Sequence, residues 1–318
     1  MTIKKVAIQM DPIEKIDLDF DTSFLLAKEA QDRGYEIFYY NPQDLEYKNR
    51  SIFALGHFVE LFNDKNKYYN YLSNKKEIFN LENADVILIR QDPPFDMNYI
   101  TSTYLLEKLS SSTTVLNNPS SIRNSSEKIY PLEFEKFMAP TIITQNIVTI
   151  KEFLLEHQDI VTKPLYGNGG EGIFRSKIEN NKLQGIDESK TNLNEPIIVQ
   201  KYIPEIIEGD RRIILIDGEY AGSVARIPEK NNLKANFHAG GKPQKTELIR
   251  KDEEICNALS KDLKLKDLFL VGIDVIGDYL TEINVTSPTC IKELDNIYNI
   301  KIADKLMNVI EKKTKEII

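Results

Sequence analysis

The sequence predicts an α/β protein that begins with a parallel sheet covered by helices and continues into units that are richer in hairpins. Strand-like and helical patterns alternate through the first third of the chain, which is typical of parallel sheets. Paired apolar runs around short turns dominate the last third, which is typical of antiparallel hairpins. The length of 318 residues, of which 41% are hydrophobic, favours two or three packed units.

The first third supplies the predicted parallel sheet. Its short apolar runs predict strands at 4–10, 35–41, 85–90 and 113–118. Helical spacing predicts helices over 22–34, capped by Asp21 or Thr22, and over 97–110. No GxGxxG motif follows the first strand, so the dinucleotide-binding fingerprint is absent. The stretch from about 47 to 80 is rich in aromatic, Asn and Lys residues and is interpreted as a surface excursion.

The remaining elements form a second and a third unit. A helix over Ser125–Phe137 leads into the second unit, for which the pattern predicts a helix at 149–158 and strands at 159–165, 172–178 and 196–204. The third unit has predicted hairpins at 211–228 and 269–285 and helices at 251–264 and 301–317.

The charge of the chain argues against nucleic acid as its main partner. The formal net charge is −8, and the sequence contains no block of Lys or Arg beyond short pairs. Binding to nucleic acid needs a concentrated basic surface. A small anion needs only a local group of donors and is not excluded by this composition.

The cysteine and histidine content excludes several kinds of site. Cys256 and Cys290 are the only cysteines, so a disulfide framework or a CxxC metal site is excluded and a reduced, cytoplasmic setting is expected. The N-terminus does not resemble a signal peptide, and no apolar stretch approaches the ~20 residues of a membrane span. His57, His157 and His238 lack catalytic spacing and are interpreted as surface residues.

A glycine cluster follows the predicted strand at 159–165. Four of the six residues from Gly167 to Gly172 are glycine, although the whole chain has only 14. Glycine permits positive φ and lets backbone N–H groups approach an anion closely, as in phosphate-binding loops. Pro164 favours an extended conformation for Lys163, so this is not a P-loop, in which the lysine opens a helix. A flexible hairpin tip is the alternative, and the loop by itself does not distinguish the two.

The hairpin at 271–289 brings acidic residues together. A two-residue loop would pair Asp274 with Thr281, whereas a three-residue loop from Gly277 to Tyr279 pairs Asp274 with Glu282. The three-residue loop also pairs Ile273 with Ile283 and Val271 with Val285, which keeps the apolar residues on one face. We therefore predict that register, because a slip by one residue would bury the acids.

Asp274, Glu282 and Asn284 then share the opposite face of the hairpin. Carboxylates directly across a hairpin repel each other, so this patch calls for a compensating cation. Mg²⁺ prefers oxygen ligands and completes its shell with water and nucleotide phosphates. The alternative is a solvated polar face beside a Lys or Arg. Together with a phosphate-type glycine loop, the patch favours a magnesium site.

Several motifs together resemble those of the bacterial glutathione synthetases, a family of ATP-grasp ligases. Lys128, the glycine loop, GDRR at 209–212, VARIP at 224–228 and TEINVTSP at 281–288 occur in the ATP-grasp order. The segments MDPI, IRQDPPFD, LNNPSSIRNSSEK and VGIDVIGDYLTEINVTSPTCIKE extend this resemblance along nearly the whole chain.

The resemblance implies an activity and a domain organisation. Members of that family join γ-glutamylcysteine to glycine and cleave ATP to ADP and phosphate. The implied domains are an N-terminal Rossmann-like domain at 1–122, a central lid domain at 123–203 and a C-terminal antiparallel-sheet domain at 204–318. ATP would lie between the last two domains, and the protein would be a homotetramer. The alternatives are a ligase for another amino-acid or peptide pair, or a nucleotide-binding relative without turnover.

The resemblance also assigns roles to individual residues. Lys128 and Lys163 would hold the ATP phosphates, and Arg212 and Arg226 would steady the reacting carboxylate and phosphate. The remaining residues that would bind ATP are Gly167, Asn168, Gly169 and Gly170 in the phosphate loop, Gln200, Lys201, Tyr202 and Ile203 around the adenine, and Asp210 near the ribose and phosphates. Asp274, Glu282 and Asn284 would hold Mg²⁺, with Mn²⁺ as a possible substitute.

One segment departs from the family pattern. Residues 227–241 occupy the place of a flexible loop that in the family carries more glycine and an arginine. Lys234 stands where that arginine is expected, and it keeps the charge but loses the bidentate geometry of a guanidinium. We therefore expect loop closure or substrate affinity to differ, and the reaction class to be unchanged.

Overall fold

Three sheets form the part of the chain that the structure describes. The computed structural model describes residues 5–109, 113–167, 172–179, 182–184, 195–229 and 240–317. An eight-stranded mixed sheet comes first, followed by two five-stranded antiparallel sheets. The predicted α/β class, with a parallel first sheet and an antiparallel last sheet, is confirmed. No helix in the described ranges has both the length and the apolar character needed to cross a membrane.

The first sheet has a parallel centre and an antiparallel edge. Strands β1, β2, β7 and β8 are parallel, whereas β4 runs antiparallel to β2 and also pairs with β3, β5 and β6. The strands are β1 (Lys5–Gln9), β2 (Glu36–Tyr40), β3 (Leu45–Lys48), β4 (Ser51–Leu61), β5 (Tyr69–Tyr71), β6 (Glu77–Asn80), β7 (Val86–Ile89) and β8 (Thr114–Leu116). The helices are α1 (Thr22–Asp32), which Asp21 caps by accepting from the Phe24 N–H, α2 (Met97–Leu106) and α3 (Pro119–Asn124).

The prediction of a surface excursion at 47–80 was wrong for β4, although most residues from 62 to 78 are exposed. The stretch forms strands of the first sheet, and β4 is the longest strand of that sheet. Two of its aromatic residues pack on the core, since the rings of Phe58 and Phe79 lie 5.2 and 4.7 Å from the fully buried ring of Phe38. His57 on β4 is also buried and stacks on Tyr71, so its interpretation as a surface residue was wrong as well.

The continuous helix predicted over Ser125–Phe137 is absent. The chain instead leaves α3 at Asn124 and forms 3₁₀ turns over Tyr130–Phe137, with a non-helical residue at Phe134. Pro131 lies at the start of these turns. Because proline has no N–H and clashes with the carbonyl four residues earlier, a helix cannot continue through it undisturbed.

The second sheet carries a small core of its own. Its strands run in the order β12-β11-β10-β13-β9, and α4 packs against them. The elements are β9 (Thr141–Thr144), α4 (Ile147–His157), β10 (Asp159–Pro164), β11 (Phe174–Glu179), β12 (Lys182–Gln184) and β13 (Ile197–Lys201). The core is separate from the two large cores of the molecule and contains Ile150, Phe153, Leu154, Ile160, Ile197 and Val199.

The third sheet shares its cores with the first. Its strand order is β16-β15-β14-β17-β18, and both large apolar clusters contain residues of the first and third sheets. The elements are β14 (Asp210–Ile216), β15 (Glu219–Ile227), β16 (Lys242–Lys245), α5 (Arg250–Leu265), β17 (Leu270–Ile276), β18 (Tyr279–Asn284), α6 (Ile291–Tyr298) and α7 (Ile302–Ile317). The sequence prediction had missed α6. The three sheets fall within 1–122, 123–203 and 204–318, and the domain boundaries themselves stay a prediction.

The buried side chain of Asn117 joins the first sheet to the third. Asn117 follows β8, and its Nδ2 donates to the carbonyls of Leu270 and Val285 at 2.9 and 2.8 Å. Its Oδ1 accepts from the N–H groups of Phe269 and Leu270 at 2.7 and 2.8 Å. The side chain thereby satisfies backbone groups at the start of β17 and the end of β18.

We predict that Asn117→Ala lowers the free energy of unfolding by about 3 kcal/mol or more, because each buried polar group left without a partner costs about 1–3 kcal/mol. Urea denaturation measures the loss. Asn118→Ala is the matched control, since Asn118 only caps α3 through the Ser121 N–H and its loss costs about 1 kcal/mol. Equal losses for the two variants would contradict the role of Asn117.

Candidate active site

One cleft of about 490 Å³ receives side chains from the second and third sheets and from segments next to the first sheet, such as Arg90 after β7. Every predicted site residue that the structure describes lines it: Lys128, Lys163, Gly167, Gln200, Lys201, Tyr202, Ile203, Asp210, Arg212, Arg226, Asp274, Glu282 and Asn284. Asn168, Gly169 and Gly170 of the glycine loop lie outside the described residues, as does Lys234 of the atypical segment. Residues separated by more than 150 positions in sequence therefore share one cavity.

The two predicted phosphate lysines enter the cleft side by side. Lys128 Nζ donates to the carbonyl of Gly167 at 2.6 Å and lies 3.8 Å from Glu282 Oε1. Lys163 on β10 donates to Gln200 Oε1 at 3.0 Å. Burial lowers the pKa of Lys163, although Glu282 counteracts this effect. The negative charge of a ligand would stabilise the charged form of a lysine in such a site.

The far end of the glycine loop needs a glycine. Gly172 has a φ of +68°, and a Cβ atom there would lie 2.7 Å from Cγ of Pro164. Both the backbone conformation and the close approach to Pro164 therefore exclude a larger residue. This contact brings Gly172 back over the end of β10, where Lys163 lies.

The acidic hairpin has the predicted pairing but a different turn. Asp274 pairs with Glu282 and Ile273 with Ile283, as predicted, and the ladder ends at Gly272 and Asn284. The loop, however, contains only Gly277 and Asp278, because Ile276 pairs with Tyr279. A bulge at Thr281 supplies the extra residue, and its hydroxyl donates to the Asp274 carbonyl at 3.1 Å. The three-residue loop was therefore wrong, and the bulge restores the register that it implied.

Four buried charges form an alternating chain beside the hairpin. Arg212 donates to both carboxylate oxygens of Asp274, at 2.5 and 2.9 Å, and Arg226 Nη2 lies 2.9 Å from Asp274 Oδ2. Arg226 in turn donates to both oxygens of Asp210 at 2.6 Å. Burial alone would raise the pKa of Asp274, but Arg212 and Arg226 outweigh burial and hold that pKa below its usual range. The arginines thus compensate Asp274 directly.

The oxygen atoms at this end of the cleft still fit a divalent cation. Asn284 Nδ2 donates to the Gly272 carbonyl at 3.0 Å and lies 3.4 Å from Asp274 Oδ2, which turns its Oδ1 away from them. Glu282 is half-buried and faces Lys128. Two carboxylates and an amide are the oxygen donors that Mg²⁺ prefers. Within the described ranges, no three His, Cys, Asp or Glu side chains form a metal-binding group, so phosphate or water oxygens must complete the shell.

The segment predicted to line adenine spans the end of β13. Gln200 donates to Thr141 Oγ1 at 3.0 Å while it accepts from Lys163, so it holds that lysine in place. The Tyr202 ring lies 3.5 Å from the guanidinium carbon of Arg175. Arg175 also donates to both oxygens of Asp159. These contacts hold the segment in position.

Sequence reasoning missed several charged residues of the cleft. Arg90 is buried and donates to Ser23 Oγ at 3.1 Å and to the Pro288 carbonyl at 3.0 Å. Glu127 is half-buried, and one of its oxygens accepts from the Val285 and Thr286 N–H groups and from the Thr286 hydroxyl. Glu293 on α6 is a third charged residue of the cleft that sequence reasoning missed. Arg90 lies in the segment IRQDPPFD, so that motif was an available signal for it.

Cys290 also lines the cleft, but it is poorly suited to nucleophilic catalysis. Its thiol is free and buried, and burial raises its pKa to about 11. The thiol therefore stays protonated at neutral pH, whereas the thiolate is the nucleophile.

Comparison with known proteins decides the family of this chain. Residues 4–123 match the model of the prokaryotic glutathione synthetase N-terminal domain, and residues 127–299 match that of the prokaryotic glutathione synthetase ATP-grasp domain. The chain belongs to the prokaryotic glutathione synthetase family. The glutathione synthetase of Agrobacterium fabrum is 44% identical over 312 residues, covering 98% of this chain and 97% of the relative. That of Vibrio parahaemolyticus is 41% identical over 314 residues, covering 98% and 99%.

Solved structures show the same fold at low sequence identity. D-cycloserine synthetase DcsG superposes with a TM-score of 0.65 at 12% identity, covering 98% of this chain and 99% of the other. The ATP-grasp ligase PsnB, complexed with a precursor variant, Mg and ADP, gives 0.63 at 14%, covering 98% and 100%. The predicted ATP-grasp fold is confirmed. Membership of the glutathione synthetase family makes this chain an ATP-dependent ligase that acts on small molecules and depends on a divalent metal ion.

We predict that Asp274→Asn lowers the free energy of unfolding by about 3–5 kcal/mol, because it leaves two buried guanidinium groups without the charge they share. Denaturation in urea, without nucleotide or divalent metal, measures the loss. The lowered pKa of Asp274 means that its stabilisation is present above the unfolded-state pKa of about 4 and is lost only as the pH falls further.

Glu282→Gln is the control for this change. Glu282 is half-buried, and its distance of 3.8 Å from Lys128 makes this a weak ion pair. Removing its charge should therefore lower the free energy of unfolding by no more than about 1 kcal/mol. A loss for Asp274→Asn that is no larger than this would show that the two arginines do not depend on Asp274.

Proposed function

We propose that the cleft carries out the glutathione synthetase reaction by activating γ-glutamylcysteine as an acyl phosphate and joining it to glycine. One observation carries the proposal: two lysines, two arginines and an acidic hairpin converge on one cavity of an ATP-grasp ligase. A carboxylate is a poor electrophile, so it must first be phosphorylated before an amine can attack it. The products would be glutathione, ADP and phosphate.

We place ATP along the central and C-terminal sheets. Lys128 and Lys163 would meet its phosphates, and Gly167, Asn168, Gly169 and Gly170 would bind them as well. Backbone groups of Gln200, Lys201, Tyr202 and Ile203 contact the adenine. Asp210 lies towards the ribose and phosphates, with its carboxylate fixed by Arg226. Closure of the glycine loop would exclude water, which would otherwise hydrolyse the acyl phosphate.

We assign the metal to Asp274, Glu282 and Asn284, with Mg²⁺ as the natural ion and Mn²⁺ as a substitute. When bound, the ion neutralises charge on the phosphoryl group during transfer. Arg212 and Arg226 lie next to this set and would steady the reacting carboxylate and the developing oxyanion. Their orientation is fixed before substrate binds, because each guanidinium is held by a buried carboxylate.

The rival function is that of an ATP-grasp ligase for another amino-acid or peptide pair, and a relative that binds nucleotide without turnover is the second rival. A coupled assay of ADP release, with γ-glutamylcysteine in the presence and absence of glycine, tests the proposal against both rivals. Glutathione synthetase activity requires rapid ADP release and glutathione formation only when both substrates are present. Absence of ADP release would exclude that activity, and ADP release with another amino-acid or peptide pair would then distinguish the first rival from the second.

We also propose the three-domain organisation with boundaries at 122 and 203, a cytoplasmic setting and a homotetramer. Two free, buried cysteines support a reducing compartment. The separate core of the central sheet supports a distinct lid domain. Light scattering coupled to size-exclusion chromatography tests the tetramer, and a mass of about one chain would contradict it.

We predict that Glu282→Gln reduces the turnover number by about 100-fold or more, the loss expected when one group that stabilises a charged transition state is removed. High Mg²⁺ or Mn²⁺ should restore part of the activity, because the weakened site then fills. The control is Glu219→Gln on the same sheet, because the Glu219 side chain forms only an exposed ion pair with Lys264 of α5. Wild-type turnover of Glu282→Gln at ordinary Mg²⁺ would refute the metal assignment.

A further inference from the structure

Glu293 is a buried acid in the cleft that the reaction described above does not use. It lies in the first turn of α6, is 5% exposed and lines the cavity together with Arg212 and Arg226. Its Oε2 atom is fully buried and has no hydrogen-bond partner among the described residues. A buried carboxylate oxygen without a donor is costly, so such a group calls for an explanation.

The neighbouring arginines do not supply the missing donor. Arg212 is bound to Asp274, and Arg226 is bound to Asp210 and Asp274. Their positive charges act on Glu293 at a distance, as does that of Lys292, but within the described ranges none of them forms an ion pair with it. The cleft therefore presents an unpaired acid beside two guanidinium groups whose own partners are already fixed.

The second substrate of the proposed reaction has the complementary chemistry. An amino acid enters as a zwitterion, and its nitrogen must lose a proton before it can attack an acyl carbon. Resting on the proposed ligase function, we propose that Glu293 binds the ammonium group of the incoming amino acid and acts as the general base that removes one of its protons.

The step balances as follows. The ammonium N–H proton moves to the Glu293 carboxylate and leaves a lone pair on the nitrogen. That lone pair forms the C–N bond to the acyl carbon, and the bond from this carbon to the phosphate oxygen then breaks. The phosphate leaves with the electron pair and takes the second proton from the nitrogen, while Glu293 returns its own proton to water.

The electrostatic setting of Glu293 suits this task. Burial raises its pKa to about 7, although the backbone N–H of Glu293 itself, Arg212, Lys292 and Arg226 oppose the rise. Cys290, the other titratable group facing it, stays neutral because burial raises the thiol pKa to about 11. A base whose pKa lies near the working pH transfers protons most effectively. Below about pH 7 the free Glu293 is protonated, so kcat/KM for glycine should fall as the pH decreases through that value.

A purely structural role predicts something else. An acid in the first turn of a helix interacts favourably with the helix dipole. The side chain of Cys290, the N-cap residue of α6, makes no capping hydrogen bond. If stabilising α6 were its only role, replacing Glu293 would change stability and would affect both half-reactions equally. The experiment must therefore separate acyl phosphate formation from amine attack.

Glu293→Gln is the decisive variant, with three measurements on the full-length enzyme. Exchange of label within ATP in the presence of γ-glutamylcysteine alone reports acyl phosphate formation and should stay within about threefold of wild type. Glutathione formation should show kcat/KM for glycine reduced by about 100-fold or more, and the decline below pH 7 should disappear. Hydroxylamine is uncharged at neutral pH and needs no base, so hydroxamate formation should remain near the wild-type rate.

Two further variants serve as controls. Glu293→Asp keeps the carboxylate on a side chain that is one methylene group shorter. It should retain the pH dependence with an intermediate rate. Asp295→Asn removes another acid of α6, and burial raises the pKa of Asp295 to about 6. Unlike Glu293, Asp295 accepts a hydrogen bond from the Ile302 N–H and does not line the cleft. It should leave the pH profile for glycine unchanged.

The outcomes separate this inference from the proposed function. Equal losses with glycine and hydroxylamine in Glu293→Gln, or an unchanged decline below pH 7, would overturn the role of Glu293 and leave the ligase function standing. Failure of the wild-type enzyme to form any hydroxamate would instead overturn the acyl phosphate mechanism itself.

Discussion

The buried chain of charges Asp210–Arg226–Asp274–Arg212 is the interaction on which the active cleft depends. The ladders of the third sheet place these residues directly opposite one another, Asp210 against Arg226 across β14 and β15, and Arg212 against Asp274 across β14 and β17. Opposite charges in such positions stabilise the pairing of strands. Because all four are buried, losing any one would leave a charge without compensation, so the register and the charges depend on each other.

This arrangement also determines what the cleft offers to a ligand. The charge of Asp274 is offset before any ligand arrives, and its pKa is lowered accordingly. Lys128 and Lys163, by contrast, have only polar or distant partners, which supports the proposal that they meet phosphate. Glu293 is the opposite case, because its buried Oε2 atom has no donor among the described residues. The cavity thus holds preorganised charge pairs beside groups that still lack a partner.

The cores explain why this cavity lies between sheets. The first and third sheets share two large apolar clusters and are further joined by Asn117, so they form one body. The central sheet has a core of only a few residues that is separate from these clusters. Side chains from both parts meet in the cleft, where Lys163 of β10 lies with Asp274 and Glu282 of the third sheet.

The sequence by itself determined the α/β class, most of the strands and helices, many of the residues that line the cleft and the pairing of Asp274 with Glu282. Local periodicity and turn residues carry this information, and long motifs carry the family. Tertiary structure decided the rest. Phe58 and Phe79 belong to strands of the first sheet because they pack against the buried ring of Phe38, and a bulge at Thr281 corrects a turn of a different length. Sequence could not reveal that two arginines already compensate Asp274, or that Oε2 of Glu293 has no donor among the described residues, because burial and partners depend on segments far apart in the chain.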